Sequence, residues 1–360
     1  MAEISNDDIR ASVAAGVIDE AQAARILTVS QSRQGFRTSM NDEDEPFELF
    51  RGFSEIFVTV GLALLTAGIV ALSVALSNPI AIPLVAVLVS VFFARYFTLK
   101  RRMTLPSIFL ASTFGFSVFF LIALLLGFEK IYSSGSSLVL FLATAAALGV
   151  YFKHFRVPFV MFLIGLCGIG IAYSAAGLIL PEVFHRESAR NTFLEFLNVG
   201  QHPLLGLTML VFGLVAFVAA MSFDLRDPHR VSRHAASAFW LHILAAPAIV
   251  NVVSVSLLAI GGAAGYLLAA LALVLITAVA LIIDRRSFLT AGIIYIGSIL
   301  VWAISATDLD EGWGIIWTLL IMGSFITALG AWWVSLRTRT MQLLPDFPYK
   351  HRLPPYPETE

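Results

Sequence analysis

Ten apolar runs constrain this chain more than any other feature, each near the ~20 residues that an α-helix needs to cross the hydrocarbon core of a bilayer. They lie at 55–77, 79–98, 105–128, 136–152, 156–180, 203–222, 235–258, 261–283, 288–306 and 314–335. Lipid offers backbone N–H and C=O groups no hydrogen-bond partner, so runs of this length fold as helices that satisfy their own backbone. The expected fold class is all-α: a polytopic transmembrane helix bundle with a small N-terminal cytoplasmic helical hairpin. Composition agrees, since a chain that is 58% hydrophobic and 13% charged carries about half the charge of an ordinary soluble domain.

The net charge of -1 conceals a partition. Residues 1–54 hold ten acids against five basic residues, while most of the remaining Lys and Arg sit in short loops between apolar runs. Such loops stay cytoplasmic. Alternate loops carry Lys100, Arg101 and Arg102, then Lys153 and Arg156, then Arg226, Arg230 and Arg233, then Arg285 and Arg286, then Arg337 and Arg339. The other side has only Lys130, Arg186 and Arg190 beside the acids Asp308, Asp310 and Glu311. Both termini are therefore expected in the cytoplasm, and Trp332 and Trp333 fit the inner interfacial belt. Membrane lipids are the expected surroundings, and nothing in this charge pattern suits nucleic acid. The first fifty residues are too polar for a signal peptide, which leaves the first span to act as an uncleaved insertion signal.

Four regions follow: a cytoplasmic helical hairpin at 1–37, an acidic linker and interfacial lead-in at 38–54, the transmembrane bundle at 55–335 and a proline-rich cytoplasmic tail at 336–360. In the hairpin, Ile9 and Val13 share a face of a first helix that stops at Gly16. Asp19 opens a second helix, with Gln22 three residues on as a variant capping box, and Ala23 and Leu27 continue its apolar stripe. So small a hairpin cannot bury a core alone, which makes it a solvated tether or a docking element for a cytoplasmic protein partner. The tail, with Pro345, Pro348, Pro354, Pro355 and Pro357, is expected to be extended and unpacked. The loop at 181–202 divides the spans five and five, as an inverted repeat would require.

Residues 223–251 form the densest polar group beside a span. Asp227 followed by Pro228 is a helix-start signature, because the carboxylate accepts from orphan N–H groups and proline at the first position gives up no bond. Asp224, Arg226, Asp227, Arg230 and Arg233 make a candidate site for a cytoplasmic partner or an anionic headgroup, although the positive-inside rule already accounts for the arginines. His242 is the ionisable residue deep within an apolar run. It either serves function or bonds as neutral imidazole to a serine or backbone carbonyl of a neighbouring helix. Pro247 favours the bonded reading by freeing a carbonyl one turn back. Asn251 does not simply join His242 in one site, because nine positions at about 100° each place the two on opposite faces of a straight helix, and only a kink at Pro247 could bring them closer.

Tyr295, Ser298, Trp302 and Ser305 fall on one stripe of the ninth run. With His242 and Asn251 they are the candidate intramembrane polar site, which either lines a solute path or fastens helices together. Gly261 with Gly265, and Gly168 with Ala172 and Ala176, have the four-residue spacing of close helix contacts. The single cysteine, Cys167, excludes a disulfide framework. No His-Glu-x-x-His, Gly-x-Ser-x-Gly or Cys-x-x-Cys pattern occurs, so the sequence assigns no catalytic residue, no cofactor and no metal.

The hairpin segment Ala15-Gly16-Val17-Ile18-Asp19-Glu20-Ala21-Gln22, the Asp-Pro…Arg…Phe-Trp-Leu-His…Ala-Ala-Pro block and Asp284-Arg285-Arg286 together resemble a family of bacterial multi-pass membrane proteins described only by a domain of unknown function. The resemblance implies a bacterial inner-membrane location and supplies no activity. The sequence points to a non-enzymatic scaffold or sensor. The alternative is a small-solute permease or facilitator using a polar path near His242 and the Tyr295/Ser298/Trp302/Ser305 stripe. The lack of Asp, Glu, Lys or Arg deep in the runs favours the first.

Overall fold

A computed structural model describes residues 6–33, 53–75, 79–188, 195–230, 232–305 and 311–356. The acidic linker lies outside these residues, as does the lead-in up to 52. Among the described residues the chain is helical, with no strand, and nine helices are long and apolar enough to cross a membrane. The ninth run, expected at 288–306, is an apolar helix on the short side for a span.

The hairpin follows its sequence closely. Helices α1 (Asn6–Ala14) and α2 (Glu20–Arg33) are separated by Gly16 at φ +69, where the absence of a Cβ makes the left-handed turn cheap. The capping box is reciprocal: Gln22 N–H donates to Asp19 Oδ1 at 2.6 Å and Asp19 N–H donates to Gln22 Oε1 at 3.0 Å. Ile9 and Ala23 are buried against Val13, Ile18 and Leu27. Val17, Ile26 and Val29 stay exposed.

One compact unit comprises 46–192 with 204–212. Its helices are α3 (Phe53–Ala75), α4 (Ala81–Ala94), α5 (Thr104–Leu126), α6 (Ser134–Phe155), α7 (Val160–Ile179) and the short α8 (Pro181–Ser188). A π-helical turn, Arg95–Lys100, extends α4. Leu110, Phe114, Leu148, Tyr151, Val160 and Leu163 centre its core. A methyl group added at Gly115 would lie 3.2 Å from Leu148 Cδ2, the close approach that substitutes in lipid for a hydrophobic drive between helices. A methyl group added at Gly168 would likewise lie 3.1 Å from Phe212 Cε2. Glu55, 4% exposed, replaces a missing N-cap: its two oxygens accept from Thr104 N–H and Leu105 N–H at 3.1 Å each, satisfying orphan donors at the start of α5.

The second unit comprises 1–45, 193–203 and 213–360. It holds the hairpin, most of α9 (Pro203–Asp224), α10 (Arg233–Leu258), α11 (Gly262–Ile283), α12 (Ser287–Ser305), α13 (Glu311–Ala331) and α14 (Trp333–Leu343). The division between units begins at 193, inside the 181–202 loop, although 204–212 rejoin the first unit. Ala246, Val250, Leu273, Phe288 and Tyr295 are central to its core.

Three expectations change. α10 does not start at Asp227-Pro228: Arg230 takes φ +54, which breaks any helix there, and Ser232 is the N-cap, its Oγ accepting from His234 N–H at 3.0 Å. The last run stops at Ala331, so Trp333 opens α14 and is 2% exposed rather than standing in an interfacial belt, while Trp332 remains exposed. The tail is not unpacked up to 356, because Leu353 is buried and Arg337 donates to the carbonyls of Pro354 and Pro355.

Candidate functional site

Three helix ends and two turns meet in an ionic network. Asp224 closes α9 and is 6% exposed. Its Oδ2 accepts from His242 Nε2 at 2.9 Å and from Arg285 Nε at 3.1 Å, and its Oδ1 accepts from Arg285 Nη2. His242 is fully buried, with the rings of Phe217 and Phe288 edge-on at 5.7 and 5.9 Å. Arg285 is 2% exposed and also donates to the Ala235 carbonyl at 3.3 Å. One carboxylate thus joins α9, α10 and the turn after α11, and a buried charge of this kind persists only with such partners.

Asp284 is the second centre. It occupies the left-handed position that ends α11, where Arg285 N–H closes back to the Ala280 carbonyl at 2.9 Å; a glycine would be the default there, and a short polar side chain is the next best tolerated. Its carboxylate pairs with Arg230 at 2.9 Å and accepts from Trp333 Nε1 at 2.7 Å, with Arg337 Nε at 3.8 Å. Arg230 also donates to the Asp284 carbonyl at 2.7 Å. Arg286 lies over the Trp333 ring at 5.4 Å. Asp227, 2% exposed, accepts from both the N–H and the hydroxyl of Ser232 at 2.7 Å, so it braces the residue that caps α10 instead of capping the helix itself.

The hairpin comes near this region. Partial burial first, and then the charge of Asp227, raise the Glu20 carboxyl above its ordinary value, while His229 pulls it back.

The structure splits the sequence-derived candidates into separate arrangements. His242 joins Asp224, so its partner is a carboxylate rather than the serine or backbone carbonyl expected. Tyr295 donates to Asn251 Oδ1 at 3.1 Å, and these two form their own contact between α12 and α10. Trp302 stacks on Tyr266 at 4.4 Å and 8°. Ser298 Oγ donates to the Ile294 carbonyl within its own helix at 3.0 Å. The side chain of Ser305 lies outside the described residues. Of the loop group, Asp224, Asp227 and Arg230 are engaged inside the protein, whereas Arg226 is exposed. An open groove of about 500 Å³ runs along α13 past Leu319, Gly323, Thr327 and Trp332, and none of the candidate polar residues lines it.

Arg285, Asp284, Trp333 and Arg337 were not among the candidate site residues. The signal was present: the loops on the basic side contain three acids between the first span and α14, namely Asp224, Asp227 and Asp284, and all three are buried. An acid among the arginines of these loops serves no insertion rule.

Among the described residues no group of three or more His, Cys, Asp or Glu is placed to hold a metal ion. The arrangement offers ionic fastening, not a nucleophile with an oriented base. Compared with protein-family models, curated proteins and solved structures, the chain finds no match.

Proposed function

We propose that this multi-pass membrane protein is a non-enzymatic scaffold or sensor of a bacterial inner membrane, with both termini in the cytoplasm and its short cytoplasmic elements available to a protein partner. The observation that carries the reading is where the polar groups are spent. A carrier needs polar side chains facing a path. Here His242, Asp224, Arg285, Asp284, Arg230 and Arg337 instead bind helix ends and tail to one another. Of the stripe that could either line a path or fasten helices, Trp302 is used in ring stacking and Tyr295 in a helix contact. A partner would find apolar footholds on the hairpin at Val17, Ile26 and Val29, which its own small core leaves exposed.

The test is transport itself. Purified protein in sealed vesicles should accumulate no solute under an imposed inward proton gradient, and the gradient should decay as slowly as in protein-free vesicles. Uphill uptake that disappears in His242→Ala, with the variant unfolding at the temperature of the original protein, would replace the scaffold reading with the permease.

A further inference from the structure

The 46–192 unit carries a rim of exposed basic side chains. Its centre is the π-helical turn Arg95–Lys100, where Arg101 N–H donates to the Tyr96 carbonyl at 2.8 Å, one residue wider than an α-turn. Such turns are rare and frequent at functional sites. The widened turn brings two cations onto one aromatic ring: Lys100 Nζ lies 5.8 Å and Arg101 Cζ 5.7 Å from the Tyr96 centroid, and Arg101 Nε donates to Tyr96 Oη at 3.1 Å. Arg95 and Arg102 bracket them, both exposed. The turn packs against α6, whose last turn adds Lys153 and His154 and whose C-cap is Arg156, all exposed.

Six cations therefore crowd the ends of two adjoining elements. Arg95, Lys100, Arg101, Lys153 and Arg156 have no ion pair among the described residues. The acid described at this end, Glu55, is buried and occupied by the start of α5. Like charges held together without a carboxylate repel one another, and an anion supplied from outside relieves that repulsion. The kind of anion follows from the neighbouring surface. Phe92, Tyr96 and Leu99 are exposed apolar or amphipathic side chains on the same helix and turn. A ligand that satisfies both surfaces has a phosphate head and hydrocarbon tails.

We propose that the rim formed by Arg95, Lys100, Arg101, Lys153 and Arg156 around Tyr96 is a binding site for an anionic phospholipid, with the phosphate between the cations and an acyl chain along Phe92 and Leu99. The positive-inside rule explains why basic residues stand on this side. It does not require two of them to share a ring on a widened turn. A cluster of four or more basic residues at the end of a span is the composition that binds anionic headgroups.

The full-length protein, purified in detergent and titrated with a phosphatidylglycerol, a cardiolipin or a phosphatidylethanolamine, is read by native mass spectrometry. The anionic lipids should bind with at least one adduct that the zwitterionic lipid does not give. Each basic residue beside an anionic surface is worth roughly a fivefold change in affinity, so Lys100→Gln with Arg101→Gln should weaken that adduct about 30-fold. Arg226→Gln with Arg339→Gln, which removes the same charge from exposed positions elsewhere, should leave it unchanged. Tyr96→Phe keeps the fold's apolar contact and removes one hydrogen bond, so it should weaken the adduct less than the double charge variant. Equal binding of all three lipids would overturn the proposal, as would equal losses in the two double variants. Displacement of the adduct by millimolar inorganic phosphate would show a site for a free anion, and the lipid assignment would fail.

Discussion

Replacing Asp224 by asparagine keeps the side chain's size and removes the charge on which three hydrogen bonds converge. In the native protein its oxygens accept twice from Arg285 and once from His242. An amide presents one acceptor oxygen and an NH2 group that faces donors, so at least one charge-assisted bond is lost, each worth about 1.5–3 kcal/mol. The larger cost is the Arg285 guanidinium, 2% exposed and left without its counter-charge. Breaking a buried pair from one side typically costs about 3–5 kcal/mol. At roughly 2–4 °C per kcal/mol, that predicts a fall in Tm of roughly 6–20 °C for Asp224→Asn, followed by intrinsic fluorescence in a fixed detergent. Arg285→Met should cost a similar amount by stranding the carboxylate. The double variant Asp224→Leu with Arg285→Met should recover most of the loss, since apolar side chains of similar volume often replace a buried pair at no net cost. Either of two results would refute the reasoning: Asp224→Asn within about 0.5 kcal/mol of the native protein, or losses of Asp224→Leu and Arg285→Met, each measured singly, that simply add in the double variant.

Tyr151 is 2% exposed and its hydroxyl has no hydrogen-bond partner among the described residues; Tyr151→Phe should therefore leave stability unchanged or raise it by up to about 1 kcal/mol, and a lower Tm would contradict that assignment. Arg337→Met should release residues 353–355, read as faster hydrogen exchange at the Leu353 amide and faster tryptic cleavage after Arg352, because the variant loses the donors to Pro354 and Pro355; cleavage at the native rate would count against the docked tail. Since burial and Asp227 raise the Glu20 carboxyl, its protonated form is the one favoured where the hairpin lies beside the 227–229 turn. That contact should be strongest below the ordinary carboxylate pKa and weaken as pH rises through the raised value, measured by quenching between labels at positions 17 and 226. Glu20→Gln should remove the pH dependence, and its persistence would show that another group titrates.

What the sequence made legible was local. The hairpin could be read residue by residue because its determinants, Gly16, Asp19 and Gln22, act within six positions of one another. The spans could be read because length and hydropathy suffice in lipid. The site was only partly legible. The sequence singles out both His242 and Asp224, but it places one in the membrane interior and the other in a loop. Their bond crosses 18 residues and a turn whose geometry, with Arg230 at φ +54, no helix-start rule gives. Arg285 reaches Asp224 across 61 residues, and Trp333 reaches Asp284 across 49. Neither separation has a periodicity to betray it. The positive-inside rule accounts for Arg285 and Arg286 by side of the membrane and says nothing of a basic residue's partner.

The placement of this network follows from the same solvent physics that makes the spans easy to find. Lipid tails are as apolar as leucine, so burial gives helices in a bilayer little reason to choose one another. Small residues allow close approach, as Gly213 does where an added methyl would meet Ile249 at 2.9 Å, but contacts of that kind repeat along many helices. Ionic partners discriminate among faces and registers, yet a charge at the centre of a span costs about 2.5–3.5 kcal/mol or more. Helix ends resolve the conflict. Asp224 is the last residue of α9, Asp284 and Arg285 follow α11 directly, and Trp333 and Arg337 lie in α14 beyond the last long apolar run. His242 is the member furthest into its helix, and it is the one that can be buried without a charge. Each acid therefore specifies which helices meet without a Lys, Arg, Asp or Glu having to cross the bilayer's middle. On this account, moving the Asp224 carboxylate one turn deeper, as Asp224→Ala with Ala220→Asp, should fail to restore the stability lost in Asp224→Ala, even though Ala220 is already fully buried. Recovery in that variant would mean that depth is immaterial and that the helix ends were not chosen for their cost.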